Sequence, residues 1–313
     1  MQETILYLLG AGASCNALPL VKTFNAKLAE FADKVERYVL NKESHPVRQD
    51  FVNDIRWLAR EVSHHASVDT FAKKLFFLGD NKNLKRLKAI LSTFLAVEQA
   101  LNHVDLRYDS FLASVLDFDH WNNLSFPDNL RMVTWNYDSQ LEKALYGFCE
   151  KDKLVTDYLS FNPNRFYRMN GCCGTPSPGS VLPIWFRSYE PDDLTPLLQG
   201  LSLYKAYMAE SNWPDISFAW ERSERLGTEL KMREFENVTT LIVIGYSFPY
   251  FNRKADQLLF KQIGNLQRVY LQCGDEDYSS VQAQLKKLIA PAIADGGVER
   301  IPYLDRFYIP DEL

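Results

Sequence analysis

Three short polar stretches could do chemistry on a phosphorylated ligand: Gly10-Ala11-Gly12-Ala13-Ser14, Thr134-Trp135-Asn136-Tyr137-Asp138 and Gly245-Tyr246-Ser247-Phe248-Pro249. The first follows the apolar run Thr4 to Leu9 and precedes a helical pattern. A strand that empties through a glycine turn into a helix start presents backbone N–H groups to an anion. A third glycine at position 15 would complete the dinucleotide fingerprint, and that residue is Cys15. Alone, Gly10 and Gly12 read equally well as a plain connector. Asn136 and Asp138 carry a similar alternative, as caps of the helix that follows. One polar strand end is ordinary. Three on neighbouring strands describe a pocket, because ligands of open α/β sheets sit outside the carboxyl ends of the strands.

The elements that must position these residues are legible as alternating patterns. Thr4–Leu9, Arg131–Thr134, Thr239–Gly245 and Arg268–Cys273 are short, apolar and rich in β-branched or aromatic residues, as strands of a buried parallel sheet are. Helical spacing follows the last three, over Asp138–Phe148, Lys254–Ile263 and Ser279–Ile289. Strand and helix in alternation predict an α/β fold, a Rossmann-like doubly wound parallel sheet. Between the first and second strands the pattern is almost wholly helical, with Phe51, Ile55, Leu58 and Val62 on one face and Leu84, Leu87, Leu91, Phe94, Leu95 and Leu101 on another. That excursion predicts a helical subdomain over 22–126 beside a nucleotide-binding domain of 1–21 and 127–313. Trp213 and Trp220, seven apart, fit one helical face. The proline-rich stretch Cys172–Pro196 reads as a surface loop near the carboxyl edge.

Composition narrows the function classes. A formal charge of −5 argues against a broad nucleic-acid surface. The densest basic cluster, Lys82, Lys85, Arg86 and Lys88, reads as a solvated helix face. Five cysteines with no repeated spacing give neither a disulfide framework nor a zinc site, so no metal is expected. No apolar run approaches the ~18–20 residues of a membrane span, and no leader pattern is present. The expected setting is a reduced cytoplasm without membrane attachment.

Taken in order, the three stretches resemble the sirtuin-like family, and within it the bacterial branch of NAD-consuming defence proteins. Gly10-Ala11-Gly12-Ala13-Ser14 is similar to the family loop that cradles the NAD phosphates. Thr134-Trp135-Asn136-Tyr137-Asp138 resembles the motif whose Asn and Asp face the nicotinamide and its ribose. Gly245-Tyr246-Ser247 is similar to the turn on the adenosine side, and Val68-Asp69-Thr70-Phe71 looks like the start of the branch's helical insert. The resemblance implies NAD as substrate or bound ligand, without metal. It also implies NAD+ glycohydrolase activity, hence a hydrolase, in anti-phage (antiviral) defence. The alternative is a catalytically degenerate sensor or scaffold that binds NAD or a related nucleotide, with a protein partner in a defence complex.

One departure decides between these expectations. Where the family carries its catalytic histidine before a glycine, this chain reads Tyr167-Arg168-Met169-Asn170-Gly171. Histidine titrates near neutrality and can take a proton from a ribose hydroxyl or a water; an asparagine amide can hydrogen-bond but accepts no proton. None of His45, His64, His65, His103 and His120 falls in a strand-end stretch. Expulsion of neutral nicotinamide from a pyridinium needs no general acid, so Asn136 and Asp138 could support slow cleavage alone. Gly12 is expected to lie against ligand phosphate, so that Gly12→Val would abolish binding with the fold intact. Ser14, Asn136 and Ser247 are expected to line one cavity.

Overall fold

The computed structural model describes residues 3–40, 46–119, 124–148, 165–174, 189, 193–209, 212–221, 230 and 235–313. Six parallel strands form the central sheet: β1 (Thr4–Leu9), β4 (Leu130–Thr134), β5 (Phe166–Arg168), β6 (Val238–Ile244), β7 (Arg268–Gln272) and β8 (Val298–Ile301). A small antiparallel pair, β2 (Asp117–Phe118) and β3 (Leu124–Ser125), stands apart. The sheet order β5-β4-β1-β6-β7-β8 is the doubly wound Rossmann order, which reverses direction between β1 and β6. Register puts Leu9 beside both Thr134 and Ile244, so the turns after β1, β4 and β6 leave the sheet at one level.

β1 is apolar throughout because both of its faces are covered. Leu6 and Leu8 pack with α8 (Arg253–Phe260) and α9 (Asp275–Leu285) through Leu259 and Leu285. Ile5, Tyr7 and Leu9 point the other way, onto α5 (Leu106–Val115), α6 (Gln140–Tyr146) and Phe307. A third core joins α1 (Phe24–Leu40), α2 (Pro46–Ser63), α3 (Val68–Phe77) and α4 (Asn81–Leu101) with α7 (Thr195–Met208), which lies beyond β5 in the chain. α4 is buried on nearly every side from Leu84 to Ala100, as the central helix of such a bundle must be. Phe94 meets Phe24 and Phe31 there in edge-to-face contacts at 5.5 and 5.2 Å. α5 lies within the 22–126 stretch yet packs on the sheet.

Several local expectations need correction. α9 starts four residues earlier than its periodicity suggests, where Asp275, Glu276 and Asp277 complement the helix dipole. Residues 212–221 are not helical, and Trp220 instead stacks on Phe218 at 5.3 Å. The basic cluster on α4 is a solvated face only in part: Lys82 is exposed, but Lys88 is buried against Glu221 at 2.7 Å, and Arg86 pairs with Asp54 while covering Trp57. Most of the Cys172–Pro196 loop, together with His45 and His120, lies outside the described residues. No helix among the described residues is long and apolar enough to cross a membrane.

Candidate functional site

The site is built where the sheet order reverses. Gly10 leaves β1 extended and donates its N–H to the Ile244 carbonyl at 2.9 Å. A single 3₁₀ turn, Ala11–Ser14, follows, and Gly12 donates to the Gly245 carbonyl at 3.0 Å. The two turns touch backbone to backbone. A side chain on Gly12 would come within 2.7 Å of the Gly245 Cα, and Gly245, at φ +62°, would collide with Gly12 in return. The close neighbour that excludes a side chain at Gly12 is therefore protein, which overturns the expectation that Gly12→Val would leave the fold intact.

α5 fixes the far side of the turn. The Arg107 guanidinium donates to the carbonyls of Gly12 and Ala13, both at 3.1 Å, and grips Asp105 at 2.9 and 2.5 Å. Asp105 in turn accepts the Asn16 N–H at 3.2 Å. Both partners are buried. Against the cost of burial, the bonds from Arg107 hold the Asp105 carboxyl below the usual carboxylate range.

The β4 stretch closes onto the same turn. Asn136 folds over its own strand end, with its N–H on the Thr134 hydroxyl at 3.0 Å. Its amide donates to the Gly10 carbonyl at 2.9 Å and reaches the Ser14 hydroxyl at 3.4 Å. Ser14 also meets the Tyr108 hydroxyl at 3.1 Å and hydrogen-bonds Asp138. Asp138 accepts the Gln140 N–H at 3.1 Å, which makes it both a cap of α6 and a member of this cluster. Burial raises its pKa, opposed by that N–H, by Arg168 and by Ser14. Beneath lies a cavity of about 10 Å³, room for a single water, bounded by Leu9, Tyr108, Thr134, Asp138, Glu142 and Arg168. Arg168, at the end of β5, donates to the Asp138 carbonyl at 2.6 Å and pairs with Glu142.

Asn170 sits one turn beyond. Its amide donates to the Trp135 carbonyl at 2.8 Å, while its side-chain oxygen is buried with no partner among the described residues. The Trp135 indole N–H and the Tyr137 hydroxyl are likewise buried and unpartnered. Gly171 follows at φ +74°, pressed against the Asp215 carbonyl so closely that no side chain fits.

The β6 turn is aromatic rather than polar. Tyr246 stacks on Trp135, with ring centres 5.5 Å apart and planes 13° from parallel. Its hydroxyl donates to Asp256 at 2.8 Å and accepts from the Asn252 amide at 3.0 Å. Burial pushes the Asp256 carboxyl up to about 7. Phe248 takes a left-handed backbone, φ +50°, that buries its ring against Tyr246 at 4.7 Å. Ser247 is exposed on this turn.

The structure thus brings Gly10, Gly12, Ala13, Ser14, Thr134, Asn136 and Asp138 into one hydrogen-bonded cluster, with Asn170 beside it through Trp135. The cavity beneath that cluster is not lined by Ser14, Asn136 or Ser247. Tyr108, Arg107 and Arg168 escaped sequence reasoning. The one signal for the first two was a charged pair, Asp105 and Arg107, at the start of an apolar helix. No family model matches the chain, and neither does any curated protein.

Proposed function

We propose that the chain binds NAD across the carboxyl edge of its sheet and cleaves the nicotinamide–ribose bond slowly, as a sirtuin-like NAD+ glycohydrolase. Anti-phage defence is the setting that the resemblance implies. The observation that carries this reading is the convergence of Ser14, Asn136 and Asp138 at the switch point of a Rossmann-ordered sheet. Support comes from the orphaned atoms around it. The Asn170 side-chain oxygen and the Trp135 indole N–H offer one acceptor and one donor, which suits a ligand carboxamide or ribose hydroxyl. Asp138 would stabilise positive charge as the pyridinium leaves.

A second reading has its own observation. The Asn170 amide, in the histidine position, is spent on the Trp135 carbonyl, and an amide takes no proton. On that reading the chain holds the nucleotide as a sensor or scaffold.

One experiment separates the two. Purified protein is titrated with NAD+ by calorimetry, and free nicotinamide is measured over hours for the native chain, Asn170→His and Asn170→His with Asn136→Ala. The glycohydrolase reading expects binding, slow release, and a gain on the order of 10²-fold in Asn170→His that is lost without Asn136. Binding without release, unrescued by histidine, selects the second reading. No binding refutes both.

A further inference from the structure

Residues 215–221 run from the helical bundle to the site. Ile216 and Phe218 belong to the bundle core, and Trp220 packs on Phe76 at 4.9 Å. Glu221 fixes the bend, accepting the Phe218 N–H at 2.7 Å and the buried Lys88 ammonium of α4 at 2.7 Å. The start of the segment pairs antiparallel with the turn after β5. Ile216 stands opposite Gly171, the Cys172 N–H donates to the Asp215 carbonyl at 2.7 Å, and the Ser217 N–H donates to the Asn170 carbonyl at 2.9 Å. Asn170 and Ser217 are therefore cross-strand partners. Such partners put their side chains on one face, with Cβ atoms about 4.5–5.5 Å apart. Beside them the Phe218 ring meets Tyr137 of the β4 turn edge-on, with ring centres 6.2 Å apart.

On that shared face two polar atoms are buried and idle. The Asn170 amide N–H is spent on the Trp135 carbonyl at 2.8 Å, which leaves its side-chain oxygen; the Ser217 hydroxyl is the other. Neither bonds the other or any other described residue. Asn170 as a whole is only 6% exposed. A buried polar atom without a partner is costly, so two of them side by side mark a place for a ligand group that has both a donor and an acceptor.

We propose that Ser217 and Asn170 together read the carboxamide of the dinucleotide, and so select the amide form over the acid. The assignment rests on the NAD binding that both readings above share. The Asn170 oxygen accepts a carboxamide N–H, and the Ser217 hydroxyl donates to the carboxamide oxygen. A carboxylate in the same place has no N–H to give and sets negative charge against the Asn170 oxygen. The surroundings suit the flat ring that carries the amide. Phe218 stacks on Trp220 with centres 5.3 Å apart and planes 1° from parallel, and Tyr137 lies against the edge of that stack. The helical bundle thereby gains a part in recognition, since its core holds the residues on either side of Ser217.

The test is calorimetry with NAD+, nicotinic acid adenine dinucleotide and ADP-ribose on native protein and Ser217→Ala, with urea midpoints for both. Native protein should bind NAD+ about tenfold or more tighter than the acid dinucleotide. Ser217→Ala should bind NAD+ about tenfold more weakly and bind ADP-ribose, which lacks the amide, as native protein does. Its urea midpoint should match the native one, because the hydroxyl it removes bonds no described residue. Equal native affinity for amide and acid overturns the assignment, as does native-like NAD+ binding by Ser217→Ala; the NAD reading survives both. An equal loss for NAD+ and ADP-ribose moves the contact to the ribose and overturns it too. A lower midpoint in Ser217→Ala gives the hydroxyl a structural role and has the same consequence. Native protein that binds neither NAD+ nor ADP-ribose ends the NAD reading itself.

Discussion

The two halves of the carboxyl edge are held in different ways. On the β1, β4 and β5 side the groups are polar and fixed by directional bonds: Arg107 on Gly12 and Ala13, Asn136 on Gly10, Arg168 on Asp138. On the β6 side the turn is fixed by packing, with Trp135, Tyr246, Phe248 and Phe260 in successive ring contacts and one hydrogen-bonded knot at Asp256. The difference shows where geometry must be accurate. Buried charge needs donors and acceptors placed to a fraction of an ångström, and a bonded network supplies that. A turn held by stacked rings needs only complementary apolar area. The halves should accordingly fail differently, the first by stranding buried charge and the second by losing area.

The strongest way to break that contrast is Arg107→Met. It leaves Asp105 buried and unpaired and removes the donors to two carbonyls, an expected loss of about 3–5 kcal/mol in urea unfolding. A loss below about 1 kcal/mol would show that the polar half is not held by this pair. Next is Gly12→Val, which pushes a side chain into the Gly245 backbone where the halves meet. A loss of about 3 kcal/mol is expected, so any fall in ligand affinity should come with a lower urea midpoint. An unchanged midpoint would mean that the turns separate easily.

The smallest effect sharpens the aromatic half through pH. The Asp256 carboxyl is raised from its ordinary 3.8 to about 7 in the folded chain, so the folded state holds a proton that the unfolded chain releases earlier. Its contribution to stability is complete below the ordinary carboxylate range and is lost as pH rises through about 7. Asp256→Asn should flatten that fall in denaturation midpoints taken between pH 4 and 8. A slope unchanged in the variant would place the titration elsewhere.

How much of this was legible follows from burial. β1, β4, β6 and β7 are covered on both faces, read as continuous apolar runs, and were placed within a residue or so at each end. β5 and β8 are the edges. Phe166–Arg168 is three residues long, and Val298–Ile301 carries Glu299 and Arg300, so neither has a pattern to detect. The site divides in the same way. Ser14, Asn136 and Asp138 sit directly after strands, and a strand end announces itself in sequence. Arg107 and Tyr108 come from a helix far along the chain, where only the packing of α5 brings them to the edge. Gly12 was legible as a glycine that something must crowd, but not as one crowded by Gly245, because that contact depends on the register of β1 with β6.

That register has a further consequence, in the order of events as the chain matures. β1 is the central strand, yet Ile5 pairs with Leu130 on one side and Thr240 on the other. Every neighbour that satisfies its backbone is made long after it. Until then β1 is an apolar strand with two open edges, the kind of segment that pairs with other chains. The α1–α4 bundle, rich in local contacts, can form in the interval, while the sheet waits for pairings of very long range. Folding should therefore be slow and concentration-sensitive in its sheet and fast in its bundle, and the polar cluster at the carboxyl edge can exist only once β6 has closed on β1.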